Sequence, residues 1–313
     1  EGDGRFDEQG RLARIDLHQF AFGETDVAGV VVPANGRWEL DVRGPSLDLT
    51  AWLGRDARDS GPEAAAEEPD HLPPLAIRAE LERVILGPER AVEKAAGRLA
   101  FDGERWRSID LDVGLGEGHQ ASIDLTSVDG KRRLEVTSDD AGKSLRAVDI
   151  YDNMIGGQLR VVGDFDDSQR EAIFTGRGMV QDYRVVKAPV LTQLLSIAAL
   201  TGIVDALSGD GLAFSRLEVP FAYSGGVAQV NDAKASGVSI GVTASGTVDT
   251  NVEEAELKGT VVPAYALNSI LGRIPVIGPI FTGGEEGSGV FAVTYKVSGS
   301  LDKPDLSVNP LSR

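Results

Sequence analysis

The chain has 313 residues, with 31 Lys plus Arg against 49 Asp plus Glu and a formal net charge of −18; it is 42% hydrophobic, 6% aromatic, contains 38 Gly and has no Cys. That apolar content exceeds what a disordered acidic chain carries, and the charge repels nucleic-acid phosphates. The lack of Cys removes disulfides, thiolate nucleophiles and Cys-based metal sites together, which leaves an acidic globular chain of one large or two modest domains.

The opening run Glu1-Gly2-Asp3-Gly4-Arg5 has neither a basic n-region nor an apolar h-region. The expectation is therefore a fragment whose cellular address lies elsewhere. Alternation then dominates. Ile15-Asp16-Leu17 and Leu47-Asp48-Leu49 each set an Asp between two aliphatics, and Leu40 and Val42 alternate with Glu39, Asp41 and Arg43. Such period-two runs are strands with one dry and one wet face. Residues 1–54 read as a first β segment. Arg55 to Pro74 is acidic, rich in Ala and Pro, and unpatterned, so 55–74 reads as a flexible loop. Strands resume over 75–140, where Ile109, Leu111 and Val113, then Ile123 and Leu125, then Leu134 and Val136 fall on one face.

From residue 141 the pattern changes. Leu145, Val148 and Ile150 suit a short helix over Ser144–Tyr151. A longer helix is expected at about 189–208, with Leu191, Leu194, Leu195, Ile203 and Leu207 on its apolar stripe and glycines at 209 and 211 to end it. The uncharged stretch there is shorter than the roughly 20 residues that a membrane-spanning helix needs. Leu217, Val219 and Phe221 alternate again, and so do Val293, Tyr295 and Val297. Between them, a helical turn is expected at about 264–272. The prolines of Ile274-Pro275-Val276-Ile277-Gly278-Pro279-Ile280-Phe281 cannot continue it. The fold expected is mainly β: a long, twisted antiparallel sheet with two or three short helices near its C-terminal end.

Catalytic chemistry finds little support. The three histidines, His18, His71 and His119, stand in unrelated strand and loop contexts, and no nucleophile elbow, zinc helix or phosphate loop is present. Asp164-Phe165-Asp166-Asp167 and Asp139-Asp140 lack calcium-loop spacing. The glycine-rich run 283–289 holds Glu285 and Glu286, which repel phosphate. Neither an enzyme, nor a metal, nor a cofactor is expected, apart from bound phospholipid or fatty acyl chains.

A sheet with one dry face must cover it. A second sheet gives a closed core, which suits a structural scaffold docking an envelope partner. An open trough suits acyl chains, at about 0.8 kcal/mol for each buried methylene. For the trough, the floor candidates are Leu40, Val42, Ile109, Leu111, Val113, Ile123, Leu125, Leu134, Val136, Leu217, Val219 and Phe221. The helix residues Leu191, Leu194, Leu195, Ile203 and Leu207 are candidates for a gate or plug. Ile274, Val276, Ile277, Ile280 and Phe281 are candidates for a membrane or partner contact.

Several stretches resemble the AsmA-like family of Gram-negative envelope proteins, the group of YhdP and TamB. They are Tyr151-Asp152-Asn153-Met154-Ile155-Gly156-Gly157-Gln158-Leu159, Tyr183-Arg184-Val185-Val186-Lys187-Ala188-Pro189, Gly211-Leu212-Ala213-Phe214-Ser215-Arg216, Gly259-Thr260-Val261-Val262-Pro263 and the terminal Ser307-Val308-Asn309-Pro310. The resemblance covers about residues 130–313 and looks most like the carboxy-terminal region of YhdP-type members. It implies a periplasmic, non-enzymatic bridge for phospholipid between the inner and outer membranes. It further implies an inner-membrane anchor outside this fragment, and contact with the outer membrane or an envelope protein.

Overall fold

A computed structural model describes residues 1–53, 72–169, 171–197, 210–263 and 292–310. The chain divides into two compact units, Glu1–Asp152 and Asn153–Arg313. The first contains β1 (Gly2–Phe6), β2 (Leu12–Phe22), β3 (Thr25–Ala34), β4 (Arg37–Asp48), the single helical turn α1 (Thr50–Leu53), β5 (Leu75–Gly87), β6 (Arg90–Phe101), β7 (Trp106–Gly114), β8 (Gln120–Val128), β9 (Lys131–Ser138) and α2 (Ala141–Ala147). The second contains β10 (Met154–Asp166), β11 (Ile173–Val185), α3 (Pro189–Ile197), β12 (Leu212–Ser224), β13 (Val227–Gly237), β14 (Ile240–Asp249), β15 (Glu254–Pro263), β16 (Val293–Ser300) and β17 (Asp305–Pro310).

The protein is mainly β, as the alternation predicts, and each unit is an open, curved sheet in which every strand pairs with the next. Local turn chemistry sets much of this order. Asn35-Gly36 and Asp129-Gly130 both have positive φ at their two residues and close the β3–β4 and β8–β9 hairpins. That is the mirror-image turn whose twist matches the flanking strands, and Asn-Gly and Asp-Gly are the pairs that adopt it at least cost.

The sheet is antiparallel, as expected, save for one pair: β4 and β5 run parallel, with Leu40 opposite Ile77 and Val42 opposite Ala79. A parallel pair needs a long return connection, and residues 49–74 supply it. The helix expected at Ser144–Tyr151 forms instead at Ala141–Ala147. Asp140 caps it, accepting the Lys143 amide at 2.9 Å, and Val148 ends it, before Asp149 turns to φ 60°. The expected helix at 189–208 is described to Ile197 as α3, while 198–209, the 55–71 part of the acidic loop and the whole 264–272 turn lie outside the described residues. Among the described residues, no helix is long and apolar enough to cross a membrane.

The densest packing of the first unit lies along one margin of its sheet. Val27, Leu81, Val84, Val92, Ala95, Val113 and Ala121 are buried there, together with Ala147 of α2. Leu47, Leu49 and Leu86 pack against them. In the second unit, Leu194 and Leu195 of α3 are buried, as are Ile240, Val261 and Val293 of the sheet.

Candidate functional site: the apolar face of each sheet

Strand register places most of the floor candidates of the first unit in two rows that run from strand to strand. Ile15 pairs with Val31, Val31 with Leu40, Leu40 with Ile77 and Ile77 with Leu99. Leu99 then meets Ile109, Ile109 meets Leu125, and Leu125 meets Leu134. The second row passes from Leu17 through Gly29, Val42, Ala79 and Gly97 to Leu111, Ile123 and Val136. Side chains two residues apart share a face, so the rows lie roughly 7 Å apart, and crossing eight strands carries each over roughly 34 Å.

Leu40, Val42, Ile109, Leu111, Ile123, Leu134 and Val136 are half-buried, whereas Val113 and Leu125 are buried. Half-burial of the central rows bears on the choice between the two architectures. In a sandwich, a second sheet about 10 Å away seals such positions. Here, among the described residues, the strands pack chiefly against their neighbours in the same sheet, and most residues of the apolar rows stay partly exposed.

Glycine explains how the sheet bends around this face. A Cβ on Gly29 would collide with the Asp41 carbonyl, and one on Gly97 with the Asp110 carbonyl. Both glycines stand in the second apolar row, so the neighbouring strand folds in over the apolar side at the points where no side chain stands in its way.

The opposite face is charged. Asp16, Asp41, Arg78, Arg98, Asp110, Asp124 and Glu135 follow one another along a single row that also includes Val30. Arg14 pairs with Asp16 at 2.6 Å, and Arg43 pairs with Asp41 at 3.0 Å and with Glu80 at 3.6 Å. The hydrogen bond from Arg14 holds the Asp16 carboxyl below its usual range. A hollow of about 640 Å³ is lined by Arg14, Asp16, His18, Asp41 and Arg43, among others. Opposite charges within it pair with one another.

The second unit repeats the arrangement. Leu159 pairs with Val180, Val180 with Leu217, Leu217 with Ala235, and the row continues through Val242 and Val261 to Val293. Val219 lies opposite Gly178. Phe221 stands between Gly176 and Val230, and its ring packs 5.7 Å from that of Phe174, which in turn lies 4.8 Å from Phe165. All three named candidates, Leu217, Val219 and Phe221, are half-buried. Tyr295 crosses Gly259, and its Oη donates to the Thr243 carbonyl at 2.7 Å. Burial pushes its phenol up to about 12.

Of the gate candidates, Leu194 and Leu195 are buried and Leu191 is half-buried, while Ile203 and Leu207 lie outside the described residues. The loop candidates Ile274, Val276, Ile277, Ile280 and Phe281 lie outside them as well. Among the described residues, no group of His, Asp and Glu has the arrangement to hold a metal ion. Sequence reading missed Val31, Ile77 and Leu99 as floor residues, although each lies in an alternating run. Only register shows that they join Leu40 and Ile109 in one row.

No family model, curated protein or solved structure matches this chain.

Proposed function

We propose that this chain is a non-enzymatic lipid-binding module, in which each unit holds phospholipid acyl chains on the apolar face of its sheet. The observation that carries the reading is the pair of aliphatic rows across β2–β9, half-buried in their central strands and backed by a charged outer face. Rows of that width and length suit extended hydrocarbon chains. A chain of 16 carbons fully seated there gains roughly 13 kcal/mol at about 0.8 kcal/mol per methylene, before the cost of ordering it. The likeness to AsmA-like proteins adds the setting: a periplasmic segment of a bridge that carries phospholipid from the inner to the outer membrane.

The test is native mass spectrometry of gently purified protein, paired with uptake of a labelled phospholipid from vesicles. Co-purifying phospholipid and saturable uptake are expected. Lipid-free protein that also takes up none would overturn the reading and favour a scaffold that docks an envelope protein.

A further inference from the structure

Beyond the last full aliphatic row, the apolar face of the first unit ends in a different chemistry. Two residues before Ile109 on β7 stands Arg107, and two residues before Leu134 on β9 stands Arg132. Register places Arg132 at an apolar-face position, where the pattern otherwise has aliphatic side chains, and Arg107 stands at the same end of the sheet, at the shift of register between β6 and β7. Ser127 of β8 lies between them. It is the register partner of Arg132, and its hydroxyl donates to the Arg107 carbonyl at 2.6 Å.

Arg132 is only 6% exposed, and its Nη1 donates to the Trp106 carbonyl at 3.2 Å, so the guanidinium reaches across β8 to the start of β7. Arg107 is held from the other side, its Nε donating to Asp102. Trp106 and Phe101, with ring centroids 5.4 Å apart, flank the same strand ends. Residues 102–107 and 129–133 contain five basic side chains (Arg105, Arg107, Lys131, Arg132 and Arg133) against three acidic ones (Asp102, Glu104 and Asp129). That is a local positive excess in a chain of net charge −18.

We infer that Arg107, Ser127 and Arg132 together bind the phosphate of an amphiphile whose hydrocarbon lies on the adjoining aliphatic rows. Strands β7 and β9 are separated by two inter-strand steps, about 10 Å in all. Two long guanidinium side chains bridge such a gap around one tetrahedral anion. Guanidinium is suited to the task, since its fork of donors matches phosphate oxygens and it stays charged where desolvated. The neighbouring indole and phenyl rings suit the boundary between head group and chain.

This inference rests on the lipid-binding reading, so its test separates the two. The full chain is titrated with labelled phosphatidic acid and with labelled diacylglycerol of the same acyl chains, alongside Arg107→Gln and Arg132→Lys. Thermal melts confirm that each variant is folded. Wild type is expected to prefer phosphatidic acid by about tenfold, as charge-assisted hydrogen bonds to an anion imply. Both variants should lose that preference and keep their affinity for diacylglycerol. Equal affinities in wild type, or a preference unchanged in Arg107→Gln, overturns the inference while leaving the apolar floor intact. If wild type binds neither lipid, the lipid-binding reading fails, and phosphorus NMR with inorganic phosphate decides the rest. A phosphate shift lost in Arg107→Gln supports the anion site, and no shift overturns it. Inorganic phosphate binding as tightly as phosphatidic acid overturns the assignment to a lipid head group.

Discussion

Leu111 on β7 stands directly opposite Ile123 on β8, and both are half-buried in the middle of a sheet. Central residues of a closed β core are sealed on their inward side. Among the described residues, this pair is covered by its in-plane neighbours and stays partly exposed above.

That openness makes Leu111 the place to separate binding from folding. Arg at position 111 can extend its stem along the face and lift its charge into water, so Leu111→Arg should melt close to wild type. The same charge lies across the path of a hydrocarbon chain and should reduce lipid uptake by at least about tenfold. Leu125, 3% exposed in the neighbouring row, gives the contrast. Leu125→Arg buries the charge and should unfold the first unit, at a cost of several kcal/mol. Urea melts and uptake assays on the two variants check both halves.

Gly97 tests the bend. Its position opposite Leu111 requires a residue without Cβ, because the Asp110 carbonyl occupies that space. Gly97→Val should therefore cost about 1–3 kcal/mol, as overpacking against an unyielding backbone does. Gly178, whose added Cβ meets nothing within 4 Å, is the control. Gly178→Ala should move the melting temperature far less.

Much of this arrangement was legible locally. Alternation alone placed Leu40, Val42, Ile109, Leu111, Ile123, Leu134 and Val136 on one face, because side-chain direction in a strand follows from period two. Asn35-Gly36 and Asp129-Gly130 carry the backbone preferences of two hairpins, a signal that the alternation reading does not use. The parallel pairing of β4 with β5 left no such mark, since it depends on where a long connection returns the chain. The α2 boundary was missed because Asp140, which caps the helix, reads in sequence as one more acidic turn residue. Arg107 and Arg132 escaped notice for a related reason. A charged residue in a strand is assigned to the wet face unless the register of its neighbours shows otherwise.

Leu195 of α3 is 0% exposed, whereas Leu191 on the same helix is half-buried. Leu195→Ala should cost about 2–5 kcal/mol, the usual range for emptying a closed site. A gating role of α3 should appear at the less buried position. Leu191→Ala is then expected to change the rate of lipid uptake with a smaller loss of stability. Stopped-flow uptake alongside chemical melts tests this, and equal effects on both measurements at both positions would reduce α3 to packing.

Asp102 provides an acid-sensitive contact. Its carboxylate accepts the Arg105 amide at 2.8 Å and the Glu104 amide at 2.9 Å, and it also pairs with Arg107. The Arg105 amide bond is the largest of the effects that lower its pKa from 3.8 to about 2. A depressed folded-state value stabilises the protein above the unfolded value and loses that contribution as pH falls through the folded one. Wild type should therefore lose this contribution between about pH 4 and pH 2. Asp102→Asn should be less stable near neutrality, and the difference from wild type should shrink across that window. A constant difference from pH 7 to pH 2 would assign the role to turn geometry rather than charge.

Tyr295 responds at the opposite end of the scale. Its hydroxyl donates to the Thr243 carbonyl across Gly259, and burial raises the phenol from its ordinary 10 to about 12. Folding favours the neutral form, so this contribution is complete below pH 10 and declines as pH rises toward 12. Tyr295→Phe keeps the ring over Gly259 but leaves the carbonyl without its donor. It should cost about 1 kcal/mol at neutral pH, the net worth of a typical internal hydrogen bond. Above pH 10, wild type should lose stability relative to Tyr295→Phe, because only wild type carries an ionisable group at that position. Ultraviolet titration should show the Tyr295 phenolate appearing together with unfolding. Free ionisation of all five tyrosines near pH 10, with the fold intact, would overturn the buried hydrogen bond.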